Sequence, residues 1–179
     1  PPFESLYRHG FARVAVATPR VEVASPGVNV SQTLDLARQA ARQQAVLAVF
    51  PELGLSAYSN EDLFQQDALL DASLEALRTL VEASRDLPLA IAVGLPLRAD
   101  DRLFNCAVLV HRGRLLGAVP KSYLPNYREF YERRQFAPAA QAVSTSLRLL
   151  GQDVPFGTRL LFAARDLPGF VLHLEVCED

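Results

Sequence analysis

Apolar and polar positions alternate along this chain in three rhythms. Largely apolar runs at 11–17, 45–50 and 89–94 have the length and content of strands. Between the first two, Leu34, Ala37, Ala40 and Ala41 recur at helical spacing behind Asn29-Val30-Ser31-Gln32, whose polar side chains suit a helix start. Beyond a loop at 51–60, a stripe of Leu63, Leu69, Leu70, Leu74, Leu77, Leu80 and Val81 predicts a second helix over 61–86, ended by Pro88. The runs 103–110 and 114–119 flank His111-Arg112-Gly113 and read as a hairpin, after a polar turn at 98–102. A short strand or two at 147–162 and a last strand at 170–176 complete the pattern. The order β-α-β-α-β-β-β implies parallel strands joined by helical crossovers and antiparallel strands added by the hairpin. A mixed sheet covered by helices follows.

From 121 to 139 the periodicity fails. Pro120, Pro125 and Pro138 punctuate a stretch that holds Tyr123, Tyr127, Phe130, Tyr131 and Phe136. A loop this long in a compact domain is functional or disordered, and five aromatics argue for order. There is no internal repeat and no low-complexity tract.

Composition narrows the function classes. The chain has 179 residues, half of them hydrophobic, enough for one sizeable core. A net charge of −2 with no long Lys/Arg run argues against nucleic acid as a partner. Arg128, Arg133 and Arg134 are interleaved with Glu129 and Glu132, so their charge nearly cancels. No run approaches the ~18 apolar residues of a membrane span, and Pro1-Pro2-Phe3-Glu4 lacks the charged and apolar regions of a leader, so the expectation is a cytoplasmic protein without a membrane partner. Two cysteines make neither a disulfide framework nor a metal site; Cys106, inside an apolar run, reads as core. The chain contains no Met and ends two residues beyond Cys177, so it reads as a fragment.

The candidate chemistry sits at strand exits. Glu52 follows the run 45–50, Lys121 follows 114–119, and Cys177 follows 170–176. A thiol near pKa ~8.5 needs a base or a cation to attack. If the three converge, Glu52 supplies a general base, Lys121 a stabiliser of thiolate and oxyanion, and Cys177 a nucleophile for acyl transfer through a thioester, with the backbone N–H of Glu178 a further oxyanion donor. His173 alternates onto the same side of the last strand as Cys177, so a Cys-His pair is a second possibility.

Phe50-Pro51-Glu52-Leu53, Val119-Pro120-Lys121-Ser122-Tyr123-Leu124-Pro125 and Val176-Cys177-Glu178-Asp179 resemble, in order, the three signature segments of the nitrilase, or carbon-nitrogen hydrolase, superfamily. The stretch from Pro120 to Phe136 is similar to the loop of the glutaminase domain in the glutamine-dependent NAD synthetase group. Ser5–Ala15 and Leu55–Leu63 are similar to the same group. The resemblance implies an α-β-β-α sandwich, here its incomplete N-terminal part, that hydrolyses glutamine and passes ammonia to an ATP-dependent synthetase domain of the same chain for amidation of nicotinic acid adenine dinucleotide to NAD. It implies Glu52 as general base, Lys121 as oxyanion-stabilising cation, Cys177 as nucleophile and Glu132 as a second glutamate beside the lysine. It implies Tyr58, Tyr127, Phe130 and Glu178 as lining of the glutamine pocket. No cofactor is expected in this domain, ATP and magnesium belong to the synthetase part, and a homo-oligomer is expected. The chain departs from the family at Pro138-Ala139, where Pro-Gly is frequent, and in stopping after the cysteine; alone it is expected to turn over glutamine poorly. The competing readings are a stand-alone amidase or carbamoyl hydrolase, and a scaffold without catalysis.

Overall fold

The computed structural model describes residues 5–179; the Pro1–Glu4 segment, read above against a leader, lies outside the described residues. Five strands form one sheet in chain order: β1 (Val14–Val16), β2 (Leu47–Val49), β3 (Ala90–Ala99), β4 (Arg102–His111) and β5 (Arg114–Pro120). β1, β2 and β3 are parallel, while β3, β4 and β5 are antiparallel neighbours. Two antiparallel steps return β5 to the direction of β2 and β3. β2 and β5 therefore leave the sheet at one edge, and β4 enters there.

The crossover from β1 to β2 is α1 (Pro26–Arg42), and that from β2 to β3 contains α2 (Asp67–Ala83). α1 buries Val30, Leu34, Ala37 and Ala40; α2 buries Leu69, Leu70, Leu77, Leu80 and Val81. The α1 stripe and Leu77, Leu80 and Val81 of α2 meet Ile91, Val93 and Leu95 of β3 in one core, while Leu69 packs in a second cluster with Leu53, Phe64, Leu124 and Phe136. Leu77 and Leu80 are wholly removed from water, each contributing roughly 2 kcal/mol before the entropy of ordering.

The start of α1 lies earlier than the polar cluster suggested. Pro26 occupies the first turn, where its fixed φ suits a helix and its missing N–H is no loss. Asn29 is then inside the helix and fully buried, its side chain bonding Glu22 N, Glu22 O and Leu55 O. The helix expected over 61–86 is interrupted: Glu61–Gln65 is a separate 3₁₀ turn, Gln66 is extended, and Ser84–Asp86 is a second such turn. Asn60 Nδ2 bonds Ser56 O and Ala57 O, while Asp62 binds Arg134 and Gln135. These bonds hold the first turn with the loops, and Leu63 stays exposed.

Two-residue loops join the hairpins. Asp100-Asp101 between β3 and β4, and Arg112-Gly113 between β4 and β5, all have positive φ, the mirror-image turn that suits twisted strands. β6 (Ser146–Leu149) and β7 (Gln152–Pro155) form a third hairpin, and Val154 and Phe156 extend the core beside β5.

The last predicted strand differs from the expectation. Only Val171–Leu172 (β9) is strand, paired with β8 (Phe162–Ala163) rather than with the main sheet. The apolar run still packs: Phe162, Phe170, Leu172 and Leu174 cover Leu47, Ala92 and Leu109 on the sheet face opposite the helices. Phe170, Leu172 and Leu174 point to the sheet, and the alternate residues Val171, His173 and Glu175 face solvent. Among the described residues no helix is long and apolar enough to cross a membrane.

Gly94, mid-way along β3, sets the path of the segment after β2. A Cβ there would lie 2.3 Å from Leu53 N and 3.0 Å from Glu52 Cα, and Leu55 N bonds Gly94 O at 3.1 Å. The backbone that carries Glu52 crosses β3 at the one place without a side chain. Gly94→Ala is expected to cost about 1–3 kcal/mol by overpacking and to displace Glu52; a melting temperature and an activity both equal to wild type would contradict this.

Candidate active site

Glu52 lies in a tight turn directly after Pro51. Leu53 at φ 51° and Ala57 at φ 72° bend the loop, and Gly54 N and Ser56 N bond back to Pro51 O and Leu53 O. Lys121 directly follows β5, its N–H bonding Asn105 O at 2.8 Å on β4. The shared sheet edge then brings the side chains together: Lys121 Nζ donates to Glu52 Oε1 at 2.7 Å and to Glu132 Oε1 at 2.8 Å. Lys121 is 0% exposed, Glu132 4%, and the Glu52 side chain 19%.

Glu132 comes from the aromatic loop, which contains one short helical turn, α3 (Glu132–Gln135). Glu132 N bonds Pro125 O, and Tyr58 OH donates to Glu132 Oε1 at 2.7 Å. Glu132 Oε2 is buried with no protein donor among the described residues. Phe130 packs edge-on against both Tyr58, at 6.5 Å, and Tyr127, at 5.7 Å. The Tyr127 hydroxyl donates to Glu178 Oε1. Loop, strand exit and the segment around Cys177 are thus linked: Lys121 binds Glu52 and Glu132, Tyr58 binds Glu132, and Tyr127 binds Glu178. Tyr127 and Glu178 also line a groove of about 830 Å³ that runs past Arg102 and Arg133, with none of Glu52, Lys121 or Cys177 in its wall.

Two residues that sequence reading omitted hold the set together. Asn105, 1% exposed, donates from Nδ2 to Glu52 Oε1 at 2.5 Å. Its signal was a lone amide in the apolar run Phe104-Asn105-Cys106. Asp179 accepts from the backbone N–H groups of Ser122 and Tyr123. Since Lys121 and Asn105 both bind Oε1 of Glu52, Oε2 is the oxygen left to receive a proton.

The electrostatics follow from two carboxylates around one buried ammonium. Burial works against the charge of Lys121, yet its bonds to Glu132 and Glu52 outweigh that and hold its pKa above the ordinary lysine value. Burial raises the Glu132 carboxyl, against the pull of Lys121 and Tyr58. Tyr58 is pushed well up by burial and by its bond to Glu132. Cys177 is exposed and sits at φ 56°, a left-handed turn rather than the tip of a buried strand. Its thiol lies in the field of Lys121, Glu52, Glu132 and Glu178. Burial raises its pKa first, Lys121 lowers it, and the carboxylates raise it again, for a net upward shift. The thiol therefore rests protonated, and a thiol in that state attacks only with the help of a base. His173 does not serve: its Nδ1 lies 3.0 Å from Leu160 O, and its Nε2 is 3.8 Å from Glu175. Cys106 is fully buried among apolar side chains and takes no part.

The carbon-nitrogen hydrolase family matches residues 13–179. The chain belongs to that family. It is 56% identical over 177 residues to a glutamine-dependent NAD(+) synthetase of Mycobacterium tuberculosis, covering 99% of this chain and 26% of that protein. The crystal structure of a glutamine-dependent NAD(+) synthetase from Cytophaga hutchinsonii superposes with a TM-score of 0.84 at 26% identity, over 94% of this chain and 28% of that one. An amidase from Nesterenkonia sp. AN1, 23% identical with a TM-score of 0.62 over 82% of this chain and 55% of its own, shares the fold. Sheet, helical layer and the hairpin on the opposite face are those of a carbon-nitrogen hydrolase.

A raised thiol pKa has a direct consequence for reactivity. Alkylation of Cys177 by neutral iodoacetamide is expected to be slow at neutral pH and to climb through values above the usual ~8.5. Glu52→Gln removes a negative neighbour and should move the curve to lower pH; Lys121→Met removes the positive one and should move it higher. A rate independent of pH between about 6 and 8 would indicate a resting thiolate and contradict this account.

Proposed function

We propose that this domain is the glutaminase part of a glutamine-dependent NAD synthetase. It hydrolyses the carboxamide of glutamine and supplies the ammonia to a synthetase part of the full-length protein, where ATP and magnesium support amidation of nicotinic acid adenine dinucleotide. The observation that carries the reading is the buried ammonium of Lys121, held between Glu52 and Glu132 with the Cys177 thiol in its field. The 56% identity to a protein of that name directs the choice of substrate.

In the proposed reaction the Cys177 sulfur attacks the carboxamide carbon while its proton passes to Glu52 Oε2. The carbonyl oxygen becomes an oxyanion facing Lys121 Nζ, which has a third N–H beyond its two carboxylate bonds, and the backbone N–H of Glu178. Glu52 returns the proton to the nitrogen, the C–N bond breaks, and ammonia leaves behind a γ-glutamyl thioester. Water then attacks the thioester carbon, Glu52 takes its proton, and glutamate departs as the thiol is restored. Glu132 keeps Lys121 aimed, and its unpartnered Oε2 suits a donor such as the carboxamide NH₂. Glu178 and Tyr127 suit the α-ammonium and carboxylate of glutamine, and Tyr58 and Phe130 close the wall.

The test is NAD formation by the full-length protein with glutamine or with ammonium as nitrogen donor. Cys177→Ala is expected to abolish the glutamine-supported reaction, by a factor of 10³ or more as for removal of other covalent nucleophiles, and to leave the ammonium-supported one within about twofold. Failure of wild type to form NAD from either donor would make a stand-alone amidase the better reading.

A further inference from the structure

We propose that Asp179 is a positioning residue, a carboxylate clamp that fixes the Cys177 turn to the Lys121 loop. The inference deepens the reading of Cys177 as a glutaminase nucleophile and rests on it.

Asp179 Oδ1 accepts from Ser122 N at 2.8 Å and from Tyr123 N at 2.9 Å, the two residues after Lys121. Its Oδ2 accepts from Val176 N at 3.3 Å, and its own N–H closes a turn onto Val176 O at 3.2 Å. One side chain therefore ties the residue before Cys177 to the residues after Lys121, spanning 57 positions of sequence. The turn it closes has Cys177 in its interior at φ 56°. A non-glycine residue in that region costs on the order of 1 kcal/mol or more and persists only where surrounding bonds over-determine it. Asp179 supplies three such bonds through its carboxylate and a fourth through its backbone.

The clamp also has an electrostatic side. Two adjacent backbone N–H groups turned to one carboxylate oxygen form a small anion nest, and filling it from the Cys177 turn leaves neither N–H for the reacting oxyanion. Oxyanion stabilisation is then left to Lys121 Nζ and the N–H of Glu178. Both donors are set by the clamp, since one precedes Ser122 in the chain and the other precedes Asp179. Slack between the two segments would separate nucleophile from cation without removing either. Displacements of about 1 Å are enough to cost on the order of 10²-fold in rate.

The experiment measures glutamine hydrolysis by the full-length protein as wild type, Asp179→Asn, Asp179→Ala and Cys177→Ala. Active sites are counted by stoichiometric labelling of Cys177 with a glutamine-shaped diazoketone, and kcat is expressed per labelled site. Asn keeps one oxygen for Ser122 and Tyr123 but turns an NH₂ on Val176 N–H. It should lower per-site kcat about 10-fold, and Ala about 10²-fold, each with KM within about threefold. A role confined to stability would reduce the number of labelled sites and leave per-site kcat unchanged; that result in the Asn and Ala variants overturns the clamp while the glutaminase reading stands. If Asp179→Ala gives no labelled site, the Asn variant decides alone. Glutamine turnover that survives in Cys177→Ala overturns the glutaminase reading and the clamp with it.

Discussion

The architecture depends on one buried ammonium. Lys121 has lost all contact with water and keeps its charge because two carboxylate oxygens, from Glu52 and Glu132, lie within 2.8 Å of its nitrogen. Removing a charge from water costs several kcal/mol, and only close, well-aimed partners offset that. The three residues come from different parts of the chain, so the requirement for pairing fixes the loop after β2, the end of β5 and the aromatic loop relative to one another. Asn105 and Tyr58 complete the arrangement by occupying further lone pairs of the same two oxygens. A site built this way is stiff, and stiffness is what a reaction needs when its charged transition state must find its donors already in place.

Topology does the rest with few residues. Glu52 and Lys121 meet because two antiparallel steps bring β5 parallel to β2, and β3 carries a glycine where the Glu52 backbone crosses it. The chemistry sits beside strands that are nearly free of water, with α1 and α2 on one face and the β8–β9 hairpin on the other. Against that background the exposed, left-handed Cys177 is the one strained member of the constellation. It is tethered through Asp179 rather than through a sheet ladder.

Much of this was legible in the sequence. The apolar runs gave the sheet strands in order, and the mixed parallel and antiparallel sheet followed from connection lengths. Glu52, Lys121 and Cys177 stood out because a charged or nucleophilic residue at a strand exit breaks an apolar pattern. Glu132 came only through the resemblance, since in isolation it is one charge among several in a segment rich in Arg and Glu. What local pattern missed depends on contacts far apart in sequence. The break at Gln66 reflects bonds made by Asn60 and Asp62, the latter to residues more than 70 positions away. The shortness of β9 reflects how many strands lie beside it, which no property of Phe170–Val176 records. Asn105 and Asp179 act through hydrogen bonds to residues more than 50 positions away in the chain, and a residue type alone does not name its partner.

The central claim, that Lys121 and Glu132 hold each other as a buried pair, is tested most directly by a double-mutant cycle on stability. Lys121→Met, Glu132→Gln and the double variant would be compared with wild type by denaturant unfolding of this domain within the full-length protein. The account predicts that Lys121→Met, which leaves two carboxylates without their cation, destabilises by about 3 kcal/mol or more, and that Glu132→Gln, which leaves Lys121 its bond to Glu52, costs less. It predicts that the double variant loses less than the sum by at least about 1 kcal/mol. Effects that add to within about 0.5 kcal/mol would mean that the two groups do not depend on each other, and the account of the site built on them would be wrong.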